Sequence, residues 1–586
     1  MDRRTRTAGS EVAGGRSEGE VQIASHRLAL LAAAIWIVVA TSLGAAEREA
    51  PARPDASPGG EGSFVERRRE RFKQLPAPPA PPAVELPKAK TTSLGAIDRF
   101  VYGAWQAADL PEVNKPPDLC DDATFCRRVY LDLVGLIPGP LELNRFLADR
   151  SPQRREKLID QLLSREADYA AHWTPFWEDA LASQPVLSQG GVPTRGNYRE
   201  WIYGCLEENR AYDLMVAELI DPTMPRRHGA VTEDLFGVKY TIEYVRNEDH
   251  TATLQTAANV GQVFLGTSMK CASCHDHFDN PEWTQQRFLG FASLFAPADL
   301  ELVRCDTRLG KTVPARFPFT LPEVAESVPD ELDARLHFAA QLLTDPLNSR
   351  FTQTIVNRLW RRYLGLGLIE PADDFRADHP PSHPELLEWL AYDFVEHGCD
   401  LKHTIRLILT SRTYQHRYDS ALEDHFDSAD RDAPRYFRSP KLRRLTGEQL
   451  LDSARVALNG KIGPDERCYL DARATALMRA LGRPDSRNEI STSRPDDFGV
   501  VSALELLNGG EIHELIDDAP LPLKPALRQD PRRLADQLYV SVLSRHATTD
   551  EKKRIGQELG NGSSLEDSTR DLLWALICSP EFQYIK

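Results

Sequence analysis

Prolines divide this chain before anything else does. Proline lacks a backbone N–H and clashes with the preceding helical turn, so a cluster of them ends regular structure wherever it falls. Two clusters stand out among the 41 prolines of the 586-residue sequence. Pro51, Pro54, Pro58, Pro76, Pro78, Pro79, Pro81, Pro82 and Pro87 make residues 47–92 read as a disordered linker, with a charged patch from Glu66 to Lys73. Pro297, Pro314, Pro318, Pro322 and Pro329 interrupt a second stretch, which reads as a junction over 297–345 with short strands around Thr312–Phe319. Outside these stretches the helical period dominates. The expected fold is mainly α: a helical domain over 93–296, a second over 346–586, and a few short strands. A chain this long also exceeds what one ordinary core holds.

The helical reading rests on spacing and caps. Ile97, Phe100, Val101 and Trp105 share one face. Cys126–Val134 and Leu141–Leu147 read as helices on either side of the turn Pro138-Gly139-Pro140, and Glu156–Leu163 repeats the period. Trp173, Phe176 and Trp177 read as core, residues 186–197 as loop, and Thr251 to Leu265 as a helix. Further on, Ile355, Leu359 and Tyr363 form a stripe with Val356, Trp360 and Leu364. Ser382 with Glu385 has the form of a capping box opening a helix that runs to Gly398. Asp400 caps the next helix, Thr446 with Gln449 opens one ending at Asn459-Gly460, and Asp530-Pro531 starts another. The last run, Leu572 to Cys578, is expected to stop at Pro580.

The N-terminus reads as a targeting segment. Arg3, Arg4, Arg6, Arg16 and Arg27 precede the apolar run Leu28–Ala40, and Gly44-Ala45-Ala46 offers small residues for cleavage. Residues 1–46 are therefore a signal peptide or an N-terminal membrane anchor (residues 28–46), and the rest of the chain is expected to be periplasmic or secreted. A net charge of −16 argues against nucleic acid or an anionic membrane surface as partner.

Nine cysteines are too sparse for a disulfide scaffold. Cys120 and Cys126 are close enough to pair in an oxidising compartment, while Cys205, Cys305, Cys399, Cys468 and Cys578 read as buried thiols. The other two belong to the run Cys271-Ala272-Ser273-Cys274-His275. In c-type attachment two thiols add to the haem vinyl groups and the adjacent histidine binds iron, and one helical turn presents all three. Three readings stay open: haem c on Cys271, Cys274 and His275; a zinc-type site from the same residues plus His277; or a Cys271–Cys274 disulfide with no cofactor. The zinc reading lacks a second cysteine pair. For a sixth iron ligand, His277 and Met269 lie too close along the chain to His275, which leaves His250, His172 and Met215. Each of these reads as structural, so a five-coordinate iron open to a small ligand is a further hypothesis.

Other constellations are weaker. Asp373, Asp374, His379 and His383 cluster in sequence, but Pro380 and Pro381 break any helix between the histidines, favouring capping and solvated polarity. Gly310-Lys311-Thr312 imitates a phosphate loop, yet Cys305 stands where its first glycine belongs. No Gly-x-Ser-x-Gly or His-Glu-x-x-His run occurs.

Longer runs carry a family resemblance. They include Ile97-Asp98-Arg99-Phe100-Val101, Arg127 to Leu136, Phe146-Leu147-Ala148-Asp149, Val263-Phe264-Leu265-Gly266, Cys271 to His277 and Trp283-Thr284-Gln285. Later come Val356-Asn357-Arg358-Leu359-Trp360, Asp373-Asp374-Phe375, Pro381 to Leu387, Ser411-Arg412-Thr413-Tyr414 and Leu504 to Asn508. With these the chain resembles a family of secreted, cytochrome-associated planctomycete proteins with two consecutive domains of unknown function, the first bearing the Cys-x-x-Cys-His motif. The resemblance covers most of the chain beyond the linker. It implies export and a haem-type motif at Cys271, Cys274 and His275, and no established reaction. Many relatives carry a separate cytochrome c segment where this chain has its proline-rich stretch. Relatives also often show a Cys-x-Cys near Ile490-Ser491-Thr492-Ser493, and a proline before the position of Phe278, neither of which occurs here.

Three functions are thus expected to compete. The first is an exported c-type haem protein for electron transfer or small-ligand chemistry, with a redox partner protein. The second is an exported metal-dependent, hydrolase-like enzyme using Asp373, Asp374 and the histidines. The third is a non-catalytic assembly protein whose Cys-x-x-Cys is structural.

Overall fold

Local signals place most helix ends where they fall. In the computed structural model, which describes residues 60–84, 94–182, 198–225, 251–304, 307–322, 327–426, 433–471, 473–485, 487, 490–494, 499–521, 528–561 and 564–586, the chain is mainly α-helical. Ile97, Phe100, Val101 and Trp105 are buried along the helix Ala96–Ala107. The Asp121 carboxylate accepts from the Thr124 amide at 2.9 Å and opens Asp122–Leu133. Asp400 does the same for His403, and Asp530 precedes Pro531 at the start of Pro531–Leu543. The Thr446–Gln449 capping box forms, and its helix Gly447–Asn459 ends at Gly460 with φ 83°.

Several expectations are corrected. The box at Ser382 does not form: His383 is the N-cap, Pro384 takes the first helical position, and Ser382 bonds the Leu368 carbonyl instead. A neighbouring loop's carbonyl outcompetes the local partner. Pro580 does not merely stop the last run; it begins a short helix, Pro580–Gln583, capped by Ser579. The strands lie earlier than Thr312–Phe319. Leu300–Arg304 pairs antiparallel with Thr307–Val313, and Pro314 and Pro318, which have no amide to donate, keep the following residues out of the ladder. A second small sheet pairs Arg443–Arg444 with Tyr584–Ile585.

The largest correction falls on the linker. Residues Glu61–Phe72 form a helix between Pro58 and Pro76, with Phe64 only 3% exposed. The stretch that reads as a charged patch in a linker is a docking face. Arg67 and Arg71 reach Asp345 at 3.0 and 2.9 Å, and Arg68 reaches Asp213 at 2.7 Å. Both carboxylates belong to distant elements, so sequence distance hides them.

Residues 58–586 make one compact unit, and contacts cross freely between the 93–296 and 346–586 segments. Buried Asp98 accepts from the Arg412 and Thr413 amides at 3.0 and 2.9 Å. Arg127 donates to the Val542 and Phe582 carbonyls at 3.0 and 2.8 Å, and Arg128 to the Tyr414 and His416 carbonyls. The loop at 186–197, His250, Cys305 and the segment 1–46 lie outside the described residues. Among the described residues no helix is long and apolar enough to cross a membrane.

Candidate functional site

The Cys-x-x-Cys-His run sits on a surface turn held from below. The helix Thr251–Leu265 ends at Gly266, whose φ is 58°. A side chain there would meet Phe375 at 2.7 Å and Thr354 at 2.8 Å, so this close approach requires glycine. Phe375 donates its amide to the Gly266 carbonyl at 2.8 Å, and Thr267 bridges Asp374. Met269 then folds back, fully buried, against Gly261. The motif itself is one 3-10 turn, Lys270–Ser273, tighter than an α-helical turn and closed by the Ala272 amide on the Met269 carbonyl.

Its donor atoms face solvent. Cys271 and Cys274 are free, exposed thiols, and His275 is exposed beside them. The His275 Nδ1 lies 2.7 Å from the Asp276 carbonyl oxygen. A carbonyl only accepts, so Nδ1 donates, and in the neutral ring that tautomer leaves the lone pair on Nε2. The Phe278 ring, 82% exposed, packs 4.2 Å from that imidazole. By contrast His277 is tied into the loop, its Nδ1 accepting from the Asp279 and Asn280 amides at 3.2 and 3.0 Å. Asp276 accepts from the Gln285 amide at 2.7 Å, placing a carboxylate at the N-terminus of the helix Gln285–Ala292.

The structure separates the other named residues. Among the described residues, the donor atoms of Cys271, Cys274, His275 and His277 do not close into a metal-sized group; the one such group is Asp393, His397 and His403. Sequence reasoning missed that trio. Its signal was a histidine four residues after Asp393, with His403 brought near by the Asp400 cap. His403 Nε2 lies 2.9 Å from Asp393, and the His397 and His403 rings stack at 3.7 Å. Among the sixth-ligand candidates, Met269, Met215 and His172 are all buried. Cys120 and Cys126 do not pair; both are buried free thiols, and burial pushes the Cys126 thiol up.

Asp373 and Asp374 meet arginines. Arg358 pairs with Asp373 at 2.5 Å and also donates to the Gln262 and Val263 carbonyls, binding the C-terminal end of the helix that leads into the motif. Asp374 lies near Arg376 and His379, at 3.6 and 3.4 Å. His383 stands apart, buried against Phe437, and burial followed by Arg435 lowers its pKa to about 4.

A second feature has no counterpart in the sequence reading. Helix Glu166–Ala180, helix Ser349–Leu364 and the 441–449 and 491–494 stretches enclose a cavity of about 180 Å³ rich in arginine. Ser491, Thr492 and Ser493 line it with hydroxyls. Glu448 is buried there; burial alone would raise its pKa, but Arg494 and Arg483 hold it at about 2. His172 is kept neutral by burial first, then by Arg362 and Arg467.

Comparison with known proteins adds the domain assignment. No curated protein and no solved structure matches the chain. Residues 96–299, which hold the Cys-x-x-Cys-His turn, match the family model of PSCyt2, a protein of unknown function (DUF1549). Residues 334–465, which carry Arg358 and the Asp373–His383 loop, match that of PSD1, a protein of unknown function (DUF1553), so the chain carries these two domains consecutively.

Proposed function

We propose that this chain is an exported c-type haem-binding protein of the cytochrome-associated planctomycete kind, in which Cys271 and Cys274 would anchor the haem through thioethers and His275 would bind its iron. The observation that carries the reading is the state of the three side chains. Two exposed thiols are free, and the imidazole beside them has its Nδ1–H on a backbone carbonyl, which leaves Nε2 available. The donor set therefore fits the group, and Phe278 adds an exposed apolar ring next to His275. Bound there, haem would supply one-electron transfer or an open iron position for a small ligand.

The chain's own residues have separate tasks. The Asp276 carbonyl fixes the His275 tautomer, and the Asp276 carboxylate holds the turn to the helix Gln285–Ala292. Arg358 fastens the end of the preceding helix to the second domain. A redox partner protein would approach the exposed face that carries the motif. A zinc reading is less well supported, because His277 spends Nδ1 on two amides and the four donors do not converge among the described residues.

The test is haem staining of a denaturing gel after export alongside haem-maturation machinery. A stained band, lost in Cys271→Ser with Cys274→Ser, is expected. A colourless product of unmodified mass would sink the reading.

A further inference from the structure

The arginine-rich cavity holds more positive charge than its own carboxylates neutralise. Eight cationic side chains line it against four carboxylates. Each carboxylate already has an arginine: Asp132 pairs with Arg443 at 2.6 Å and Asp452 with Arg467 at 2.7 Å. Asp179 and Glu448 both pair with Arg494, at 2.7 and 2.6 Å. Arg358 and Arg361 find partners outside the lining, in Asp373 and Glu370.

Arg362 differs. Among the described residues it makes no ion pair; it donates to the neutral His172 at 3.1 Å and lies over the Trp173 ring at 4.4 Å. Lys441, also on the lining, likewise has no ion-pair partner among the described residues. One further N–H group, the Arg443 Nε, is buried without a hydrogen-bond partner there, whereas the Arg467 Nη1, also without one, lies 3.8 Å from the Asp168 carboxylate.

Half-burying the Arg362 guanidinium without a counter-charge is costly, and so is leaving buried donors unmet. The chain carries a net charge of −16, so acidic residues are abundant elsewhere, and the local excess is a feature of this cavity. Guanidinium forks match oxyanions in geometry as well as charge. The volume suits a small anion or one with a small substituent, being below the roughly 300–1,000 Å³ of pockets for drug-sized ligands.

We propose that this cavity binds a small, multiply charged oxyanion of the phosphate or sulfate class. Arg362 and Lys441 supply the uncompensated charge, and the Arg443 Nε–H supplies a directed donor. The site is independent of the haem reading and stands whether or not Cys271 and Cys274 carry a group.

The test uses the full-length chain in a buffer free of both anions. Sodium phosphate, sodium sulfate and sodium chloride at matched ionic strength are compared by thermal unfolding and by isothermal titration calorimetry. Phosphate or sulfate is expected to raise Tm and to titrate to one site, and chloride to do neither; whichever anion binds more tightly names the ester class. Arg362→Gln and Lys441→Gln should each weaken binding, about ten- to hundred-fold for the arginine, while Arg69→Gln on an exposed helix face leaves it unchanged. Lys441 is only half-buried, so its variant reads the site even if the arginine variant fails to fold. Neither anion exceeding chloride, or all three variants weakening binding alike, would overturn the proposal.

Discussion

Replacing Glu448 with glutamine probes the arginine network beside the cavity. Glu448 lies in the first turn of the helix Gly447–Asn459 and is buried. Arg494 grips it with both terminal nitrogens, at 2.6 and 3.1 Å, and Arg483 and Arg487 stand at 3.6 and 3.9 Å. Burial favours the neutral acid, yet the guanidinium groups win and lower its pKa from 4.5 to about 2. At about 1.4 kcal/mol for each tenfold change in proton affinity, that shift corresponds to about 3 kcal/mol of stability at neutral pH. A depressed carboxylate pKa gives stability that is present above the unfolded value and is lost as pH falls toward the folded one. The contribution should therefore be whole above pH 5.5, fall to about 1 kcal/mol at pH 3 and be nearly gone at pH 2. Glutamine keeps the shape of the protonated acid. Urea unfolding followed by tryptophan fluorescence should show Glu448→Gln less stable by about 3 kcal/mol at pH 7, with the gap closing as pH drops. A gap that stays constant from pH 6 to pH 3, or none at pH 7, would refute the electrostatic account.

Two other substitutions test how the segments are joined. Gly135 has φ 68°, and a Cβ there would lie 2.3 Å from the His172 Nδ1. Gly135→Ala should therefore cost about 2–4 kcal/mol in urea unfolding, from left-handed strain plus displacement of a packed imidazole. Asp98 receives the Arg412 and Thr413 amides and the Thr413 hydroxyl, at 3.0, 2.9 and 2.9 Å. Asp98→Ala leaves those donors unmet and should cost about 3–5 kcal/mol, with faster proteolysis around residue 412; a variant as resistant as the parent would refute the strap.

Helix starts and ends were legible in the sequence because their causes are local. The stripe through Trp105, the cap at Asp400 and the box at Thr446 each involve residues within a few positions of one another, and spacing alone reveals them. The motif from Cys271 to His275 was legible for the same reason, although its 3-10 geometry and the carbonyl that orients His275 were not. What the tertiary structure decided lies in contacts between distant positions. Arg71 meets Asp345, which makes a helix of a stretch that composition reads as linker. Asp373 meets Arg358, which supplies a cation where the metal-dependent reading places a metal. The cavity draws its arginines from 358 to 494, and whether a guanidinium there has a partner depends on which carboxylates the folded chain brings within about 4 Å. Helical period and capping act over one or two turns, whereas charge compensation inside a core is settled by packing, and no spacing rule along the chain encodes it.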